Sequence, residues 1–280
     1  MKKISAAFDG LKFSKATLDY AIDLVTQSQA MLTGVFLEDF LYHSFNLYDM
    51  IGSQGISSTK LKHLVEKDKA TRQQAVESFK QSCEHAGIDY TIHQDDRFAI
   101  DDLLKESIYS DLVLIGAQET LSHFPAEKPT PFVKELLAGT PCPVMVLPRT
   151  YHAIERVVIL YDGHPSSVFA IKMFNYLMPF LRKLPTEIVF VSEDTSLKKL
   201  PDDQLIKEFI RCHYPDAAYT LLAGEPEQTL ATYLKKLSPN VMVVMGAYNR
   251  GAVSRMFKTS MADKLISAVE DVPVFIAHHQ

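Results

Sequence analysis

The sequence predicts an α/β protein built from two copies of a doubly wound unit, each with a mainly parallel five-stranded sheet and helices on both faces. Short apolar segments rich in Val, Ile, Leu and Phe alternate with amphipathic segments. Continuous apolar strands of this kind are typical of parallel sheets buried on both faces. The length of 280 residues suits two domains, and the 47% hydrophobic content is sufficient for a packed core.

The two copies are visible as ordered matches along the chain. The segment Ile4–Gly10 resembles Val157–Gly163, which places Asp9 and Asp162 in equivalent positions 153 residues apart. Near the end of each copy, Gly116 and Gly246 are 130 residues apart. The change of offset predicts about 26 extra residues in the first copy, between its second and third strands.

The amphipathic stretches between the strands predict four helices in each copy. Ser14 is a suitable N-cap for the first of them. The first copy has helices at Ser14–Thr26, Lys60–Ala86, Ile100–Tyr109 and Phe132–Leu137, and the second at Ser166–Leu181, Asp203–His213, Glu227–Leu237 and from near Ser254 to Val269. We therefore predict a first domain at residues 1–150, with an insertion around 40–60, and a second domain at residues 151–280.

Composition excludes several classes of function. With 29 basic and 34 acidic residues the net charge is −5, so no broad basic field is available for nucleic acid or an anionic membrane. No run of about 18 apolar residues predicts a membrane span, and the amino terminus lacks the apolar stretch of a signal peptide. The three cysteines lack metal-ligand spacing, so we expect reduced thiols in a cytoplasmic protein.

A ligand of a doubly wound sheet binds at the carboxyl ends of the strands, where the strand order reverses. Asp9 and Asp162 follow the first strand of each copy, and each carboxylate could contact a ligand or close a turn. After the fourth strand of the second copy, residues 246–260 combine glycines, hydroxyls and two arginines just before a predicted helix. This loop is either an anion site or an ordinary strand-to-helix connection with solvated arginines.

The Asp-Gly start of each copy, the doubled unit and this late loop resemble the universal stress protein family in its tandem form, over essentially the whole chain. Nucleotide-binding members of that family carry Gly-x-x-Gly, nine residues, and then Gly-Ser or Gly-Thr. Gly246 takes the first position, whereas Asn249 replaces the second glycine. Thr259 replaces the third glycine after nine residues, and Ser260 keeps the hydroxyl.

The resemblance implies a Rossmann-like fold, similar to that of adenine-nucleotide alpha-hydrolases, and a site for ATP or another adenine nucleotide in the second copy, with or without Mg²⁺. It places Asp162 and Val191 near the adenine or ribose and Gly246 beside the ribose. Around the phosphates it places Asn249, Arg250, Gly251, Thr259 and Ser260. Asn tolerates the left-handed backbone that glycine allows, whereas the β-branched Thr259 would obstruct a close phosphate.

The first copy has lost more of this pattern. At the positions of Asn249, Thr259 and Ser260 it carries Glu119, Pro129 and Thr130. A carboxylate would repel phosphates and proline lacks an N–H donor. We therefore predict that the first copy binds no nucleoside triphosphate in the manner of the family, and that Asp9 is structural.

Two functions remain open from the sequence. One is a nucleotide-responsive stress or signalling module; slow ATP hydrolysis would need a general base, and none is identifiable. The alternative is an interaction protein that binds no nucleotide and acts through its insertion and domain surfaces. The aromatic segment Phe40–Ile51 is either a lid or partner surface or is packed against its own protein, and Gly224–Pro226 is either a pocket wall or a helix-start turn.

Partners follow mainly from the resemblance. In the family the fifth strands pair across a dimer axis, so here we expect the two copies to form an intramolecular pseudo-dimer. A homodimer of the whole chain and an unidentified protein partner are further expectations. We predict no metal site, because the terminal His278 and His279 have no further ligands nearby in sequence.

Overall fold

A computed structural model describes residues 1–38, 58–95, 99–121, 126–194, 196, 199–246, 258–269 and 271–277. Its strands are β1 (Lys3–Asp9), β2 (Met31–Leu37), β3 (Tyr90–Asp95), β4 (Leu112–Gly116), β5 (Val144–Leu147), β6 (Arg156–Leu160), β7 (Thr186–Ser192), β8 (Ala218–Ala223), β9 (Val241–Gly246) and β10 (Val274–Ala277). Its α-helices are α1 (Lys15–Ser28), α2 (Ser58–Ala86), α3 (Ala99–Ile108), α4 (Pro131–Gly139), α5 (Pro165–Leu177), α6 (Asp203–His213), α7 (Pro226–Leu234) and α8 (Lys258–Ala268).

The strands form one ten-stranded sheet in the order β3-β2-β1-β4-β5-β10-β9-β6-β7-β8. We call the part from β1 to β5 the first half and the part from β6 to β10 the second half. Read from its outer edge, each half has the doubly wound order third, second, first, fourth, fifth strand, with parallel neighbours throughout. The predicted fold class is confirmed.

The two halves join where β5 and β10 pair antiparallel. Met145 lies opposite Phe275 in this register, and both side chains are fully buried. On the helices beside the pair, Lys134 Nζ of α4 lies 3.2 Å from Asp263 Oδ2 of α8. The expected pairing of the fifth strands thus occurs within the single chain, across a pseudo-two-fold axis.

Alternate residues of the buried strands feed two apolar layers, one on each face of the sheet. In β1, Phe8 belongs to the layer beneath α1 and α2, and Ala7 belongs to the layer beneath α3 and α4. The first layer is rich in aromatic rings, for example Phe8 and Phe36 with centroids 5.4 Å apart. Two-sided burial explains why these strands are continuously apolar.

Local sequence explains most helix boundaries. Ser14 caps α1 as predicted, accepting a hydrogen bond from Thr17 N–H at 3.2 Å. The segment Ser166–Leu181, which we predicted as one helix, is divided: α5 ends at Leu177 and a 3-10 helix follows at Pro179–Lys183. Pro179 explains the break, because it lacks the N–H that would continue the α-helix.

The extra length of the first half lies between β2 and β3. There α2 has 29 residues, whereas its counterpart α6 has 11. The aromatic segment Phe40–Ile51 and most of the predicted insertion lie outside the described residues, as do His278 and His279. Among the helices of the described segments, none has the length and apolar character needed to cross a membrane.

Candidate functional site

The strand order reverses between β1 and β4 in the first half and between β6 and β9 in the second. Connections from these neighbouring strands leave toward opposite faces, so a crevice opens at their carboxyl ends. We call each crevice a switch point. Asp9 and Gly116 lie at the first switch point, and Asp162 and Gly246 lie at the second.

At the second switch point, Asp162 is exposed to solvent. Its Oδ1 accepts a hydrogen bond from His164 N–H at 2.9 Å, which closes the turn into α5 and leaves the other carboxylate oxygen outside this hydrogen bond. Val191 lies near the end of the adjacent strand β7, with only 8% of its surface exposed. The structure therefore brings three predicted residues, Asp162, Val191 and Gly246, to the carboxyl ends of neighbouring strands.

The remaining predicted residues are described only in part. Asn249, Arg250 and Gly251 lie outside the described residues. Thr259 and Ser260 occupy the first turn of α8, which begins at Lys258. A helix start therefore follows the loop, as the anion-site interpretation requires.

Gly246 has a packing role that sequence reasoning missed. A Cβ atom at this position would lie 2.4 Å from the carbonyl carbon and oxygen of Ser166 and 2.6 Å from Ser167 N. Only glycine lets the end of β9 approach the first turn of α5 this closely. The signal in the sequence was weak: two small residues, Ser166 and Ser167, at a predicted helix start.

At the first switch point, Asp9 is turned into the protein and is only 1% exposed. Its Oδ1 accepts hydrogen bonds from Leu11 N–H at 2.7 Å and Lys12 N–H at 3.2 Å. These bonds hold the loop between β1 and α1. They match the structural role predicted for Asp9, in contrast to the exposed Asp162.

Glu119 lies over Gly116 at the same switch point. Its Oε1 is 3.1 Å from the place where a Gly116 Cβ would be, so the side chain occupies the space above the strand end. Burial, together with the negative charge of Asp9, raises the pKa of Glu119 from 4.5 to about 8, against a lowering by Lys12. An acidic side chain thus stands where the family resemblance would place phosphate.

The hydroxyl of Thr130, the counterpart of Ser260, forms hydrogen bonds within its own half. It donates a hydrogen bond to the backbone carbonyl of Glu119 and accepts one from Val133 N–H at 3.2 Å, capping α4. The cavity at this switch point has a volume of about 200 Å³ and includes Lys12, Ser14 and Glu119 in its lining. This is below the range of about 300–1,000 Å³ usual for pockets that hold drug-sized ligands.

Helix α2 also covers the first switch point. Arg72 Cγ lies 3.1 Å from where a Gly10 Cβ would be, and Arg72 Nη1 lies 3.6 Å from Glu38 Oε1. The equivalent glycine of the second half, Gly163, has a positive φ of 79° and faces Pro201 instead of a charged side chain. The first crevice is therefore filled from two sides by long side chains of its own half, Glu119 and Arg72.

Cys142 and Glu225, which lie away from the switch points, have surroundings that indicate structural roles. The thiol of Cys142 is partly buried, and burial raises its pKa to about 11, so it is protonated at neutral pH. Glu225, in the Gly224–Pro226 turn, caps α7 by accepting hydrogen bonds from Glu227 and Gln228 N–H. Over the described ranges no group of three or more His, Cys, Asp or Glu side chains could hold a metal ion.

Comparison with known proteins agrees with this architecture. No family model matches the chain. A universal stress protein of Synechocystis sp. is 26% identical over 207 residues, covering 69% of this chain and 71% of the relative. A universal stress protein structure from Archaeoglobus fulgidus aligns with a TM-score of 0.69 at 16% identity, covering 99% of this chain and 98% of that chain.

A second solved structure, a Pseudomonas aeruginosa protein of unknown function, aligns with a TM-score of 0.64 at 12% identity, covering 99% of this chain and 92% of that chain. Both alignments run through both halves. The resemblance of this chain to the universal stress protein family, in its tandem form, is confirmed.

Proposed function

We propose that this universal stress protein-like chain binds one adenine nucleotide, at the switch point of the second half, and acts as a nucleotide-responsive module. One observation carries the proposal. Asp162 presents an exposed carboxylate at the end of β6, whereas its counterpart Asp9 is buried and the crevice beside it contains Glu119. Of the two equivalent crevices, the second is the one whose acidic residue can accept hydrogen bonds from a ligand.

The proposed nucleotide spans the strand ends. A carboxylate at the end of β6 can accept hydrogen bonds from ribose hydroxyls or an adenine amino group, and the adjacent Val191 offers an apolar surface. The phosphates would lie toward the start of α8, where unpaired backbone N–H groups and the helix dipole favour an anion. Arg250, just upstream in the sequence, adds a positive charge.

Binding, not turnover, is the proposed activity, because the sequence offers no general base beside the predicted phosphate positions. A nucleotide held between β6 and α8 would alter the surface that the second half presents to partners. The proposed role is therefore that of a stress or signalling module that responds to a nucleotide, and no catalytic residue is assigned.

The first test is nucleotide binding and its stoichiometry. Thermal unfolding is followed with ATP, ADP, AMP and cyclic AMP, with and without Mg²⁺, and titration calorimetry counts the sites. A ligand at 100 times its dissociation constant should stabilise the protein by about 2.7 kcal/mol. We expect one site per chain; no shift with any nucleotide at millimolar concentration, or two equal sites, would overturn the proposal.

Point variants then locate the site. Asp162→Asn keeps an acceptor for His164 N–H but removes the charge, and Arg250→Ala removes the proposed phosphate contact. Each should weaken binding at least about tenfold, the effect of losing one charge-assisted hydrogen bond. Glu119→Gln, the control at the other switch point, should leave affinity unchanged. Equal affinity in wild type and Asp162→Asn would place the nucleotide elsewhere.

A further inference from the structure

The ten-stranded sheet ends at β3 on one side and at β8 on the other. These two edges differ in chemistry. Strand β3 carries His93 and Asp95, and His93 is paired with Glu106 of α3. Strand β8 has the sequence Ala-Tyr-Thr-Leu-Leu-Ala, without a charged residue or proline, and Leu221 is 39% exposed. Natural proteins usually protect an edge with charge, proline or a bulge, and a strand without them is suited to pairing with another strand.

The outward-facing backbone groups of β8 can be identified from its register. Gly224 N–H donates to Ser192 O of β7 at 2.9 Å. In a parallel pair, the N–H and C=O of one residue point to the same side and alternate along the strand. Tyr219, Leu221 and Ala223 therefore direct their backbone N–H and C=O groups away from β7, toward the side on which no other strand of the described residues pairs.

A groove runs beside this edge, between β8 and α7. Its volume is about 470 Å³, and its lining includes Leu222, Thr232 and Tyr233. Glu225 lies at one end of the groove, beyond the carboxyl end of β8, and Lys236 lies at the other, because α7 runs back toward the amino end of the sheet. The groove therefore has an acidic end and a basic end.

This polarity matches a second copy of the same edge. If two β8 strands pair antiparallel about a two-fold axis, Glu225 of each copy lies at the same end of the interface as Lys236 of the other copy. The opposite charges therefore meet at both ends of the interface. The molecule already contains such an arrangement, since β5 and β10 pair antiparallel while Lys134 and Asp263 connect the flanking helices at 3.2 Å. Self-complementary contacts of this kind are the commonest route to a closed dimer.

We propose that β8 is a homodimer interface, in which β8 of one chain pairs antiparallel with β8 of a second copy and the sheet continues across the two-fold axis. Leu221, at the centre of the strand, is the residue that the partner strand covers. Glu225 and Lys236 fix the antiparallel orientation through opposite charge. The interface is separate from the second switch point, so it stands independently of nucleotide binding.

The experiment measures the oligomeric state of the full chain by size-exclusion chromatography with light scattering across a range of concentrations. We expect a concentration-dependent dimer. Leu221→Lys places a charge on the edge and should raise the dimer dissociation constant at least about tenfold. Gln94→Lys, the same kind of change on the exposed edge strand β3, should leave the constant unaltered.

A second variant does not depend on the edge strand itself. Lys236→Glu sets like charges against Glu225 of the partner and should also weaken the dimer, whereas Lys69→Glu on α2 makes the same charge change away from the interface. Hydrogen exchange adds a direct reading: the amides of Leu221 and Ala223 should be protected in the dimer and exchange rapidly on dilution.

The proposal would be overturned by a chain that stays monomeric at its highest soluble concentration. A dimer that is unaffected by both Leu221→Lys and Lys236→Glu would equally overturn it, because the contact would then lie on another surface. Uptake of an extended peptide at β8 by a monomeric chain would assign the edge to a different partner. If Leu221→Lys does not fold, Lys236→Glu and the exchange of the Leu221 amide decide the question.

Discussion

The two halves of this protein have the same crevice at the strand ends, but different side chains surround it. In the first half, the turn after β4 brings the Glu119 side chain back over Gly116, and α2 contributes Arg72. In the second half, the end of β9 lies directly against the backbone of α5, and Asp162 is left exposed. Strand order creates the crevice, but a few residues after the strands determine what occupies it.

The comparison also shows that equivalent glycines need not have equivalent roles. Gly116 faces the movable end of a long side chain, so its lack of a Cβ provides room for Glu119. Gly246 faces backbone atoms of Ser166 and Ser167, which can yield only if α5 moves. One glycine accommodates a side chain, and the other permits close packing between a strand and a helix.

The largest expected effect is that of adding a methyl group at Gly246, and the same change at Gly116 is its control. Gly246→Ala forces α5 away from β9, and overpacking of this kind should reduce the free energy of unfolding by about 3 kcal/mol. Gly116→Ala should cost less than about 1 kcal/mol, because the Glu119 side chain can shift. Urea denaturation of both variants measures the difference. Equal losses would mean that the two strand ends are packed alike.

The second prediction concerns pH and Glu119. The unfolded carboxyl ionises near pH 4.5, whereas burial and Asp9 raise its pKa to about 8 in the folded chain. The folded state therefore retains a proton that the unfolded state releases, and this group makes the protein less stable as pH rises from about 4.5 to about 8.

Glu119→Gln removes this titration while keeping the shape of the side chain. Its Tm should exceed that of wild type by at least about 2 °C at pH 9 and should match it near pH 4, below the pKa of the unfolded carboxyl. Thermal unfolding across this range provides the test, with Glu135→Gln on the exposed part of α4 as a control that should not alter the profile. A parallel pH profile for Glu119→Gln and wild type would mean that folding leaves the pKa of Glu119 unchanged, and would contradict the prediction.

Much of the fold was predictable because its signals are local or repeated. Continuous apolar runs predicted the strands, the change of offset predicted the longer segment between β2 and β3, and Ser14 predicted the start of α1. The predicted limits of α6 agree with the structure at both ends. The pairing of β5 with β10 followed only from the family resemblance, because two short apolar strands do not specify which edges meet.

The location of the candidate site was predictable from the sequence, but the contacts between its residues were not. The carboxyl ends of the strands follow from topology, whereas the contact of Gly246 with α5 depends on how closely a helix approaches a strand, which no local pattern encodes. The same holds for Glu187, whose buried carboxylate accepts hydrogen bonds from Thr220 and Tyr233 and pairs with Arg156. These partners are distant in sequence and meet only in the folded sheet.

The smallest expected effect tests the helices that begin at the two switch points. Ser14 and His164 are both extended N-cap residues, but only Ser14 accepts a side-chain hydrogen bond from its helix. His164→Ser should therefore stabilise the second half by up to about 1 kcal/mol, and Ser14→Ala should destabilise the first half by about 1 kcal/mol. Urea denaturation resolves both changes. If His164→Ser gave no gain, the tight packing of α5 on Gly246, not the missing cap, would be what sets the start of that helix, and the two switch points would then differ in helix geometry as well as in the side chains that occupy them.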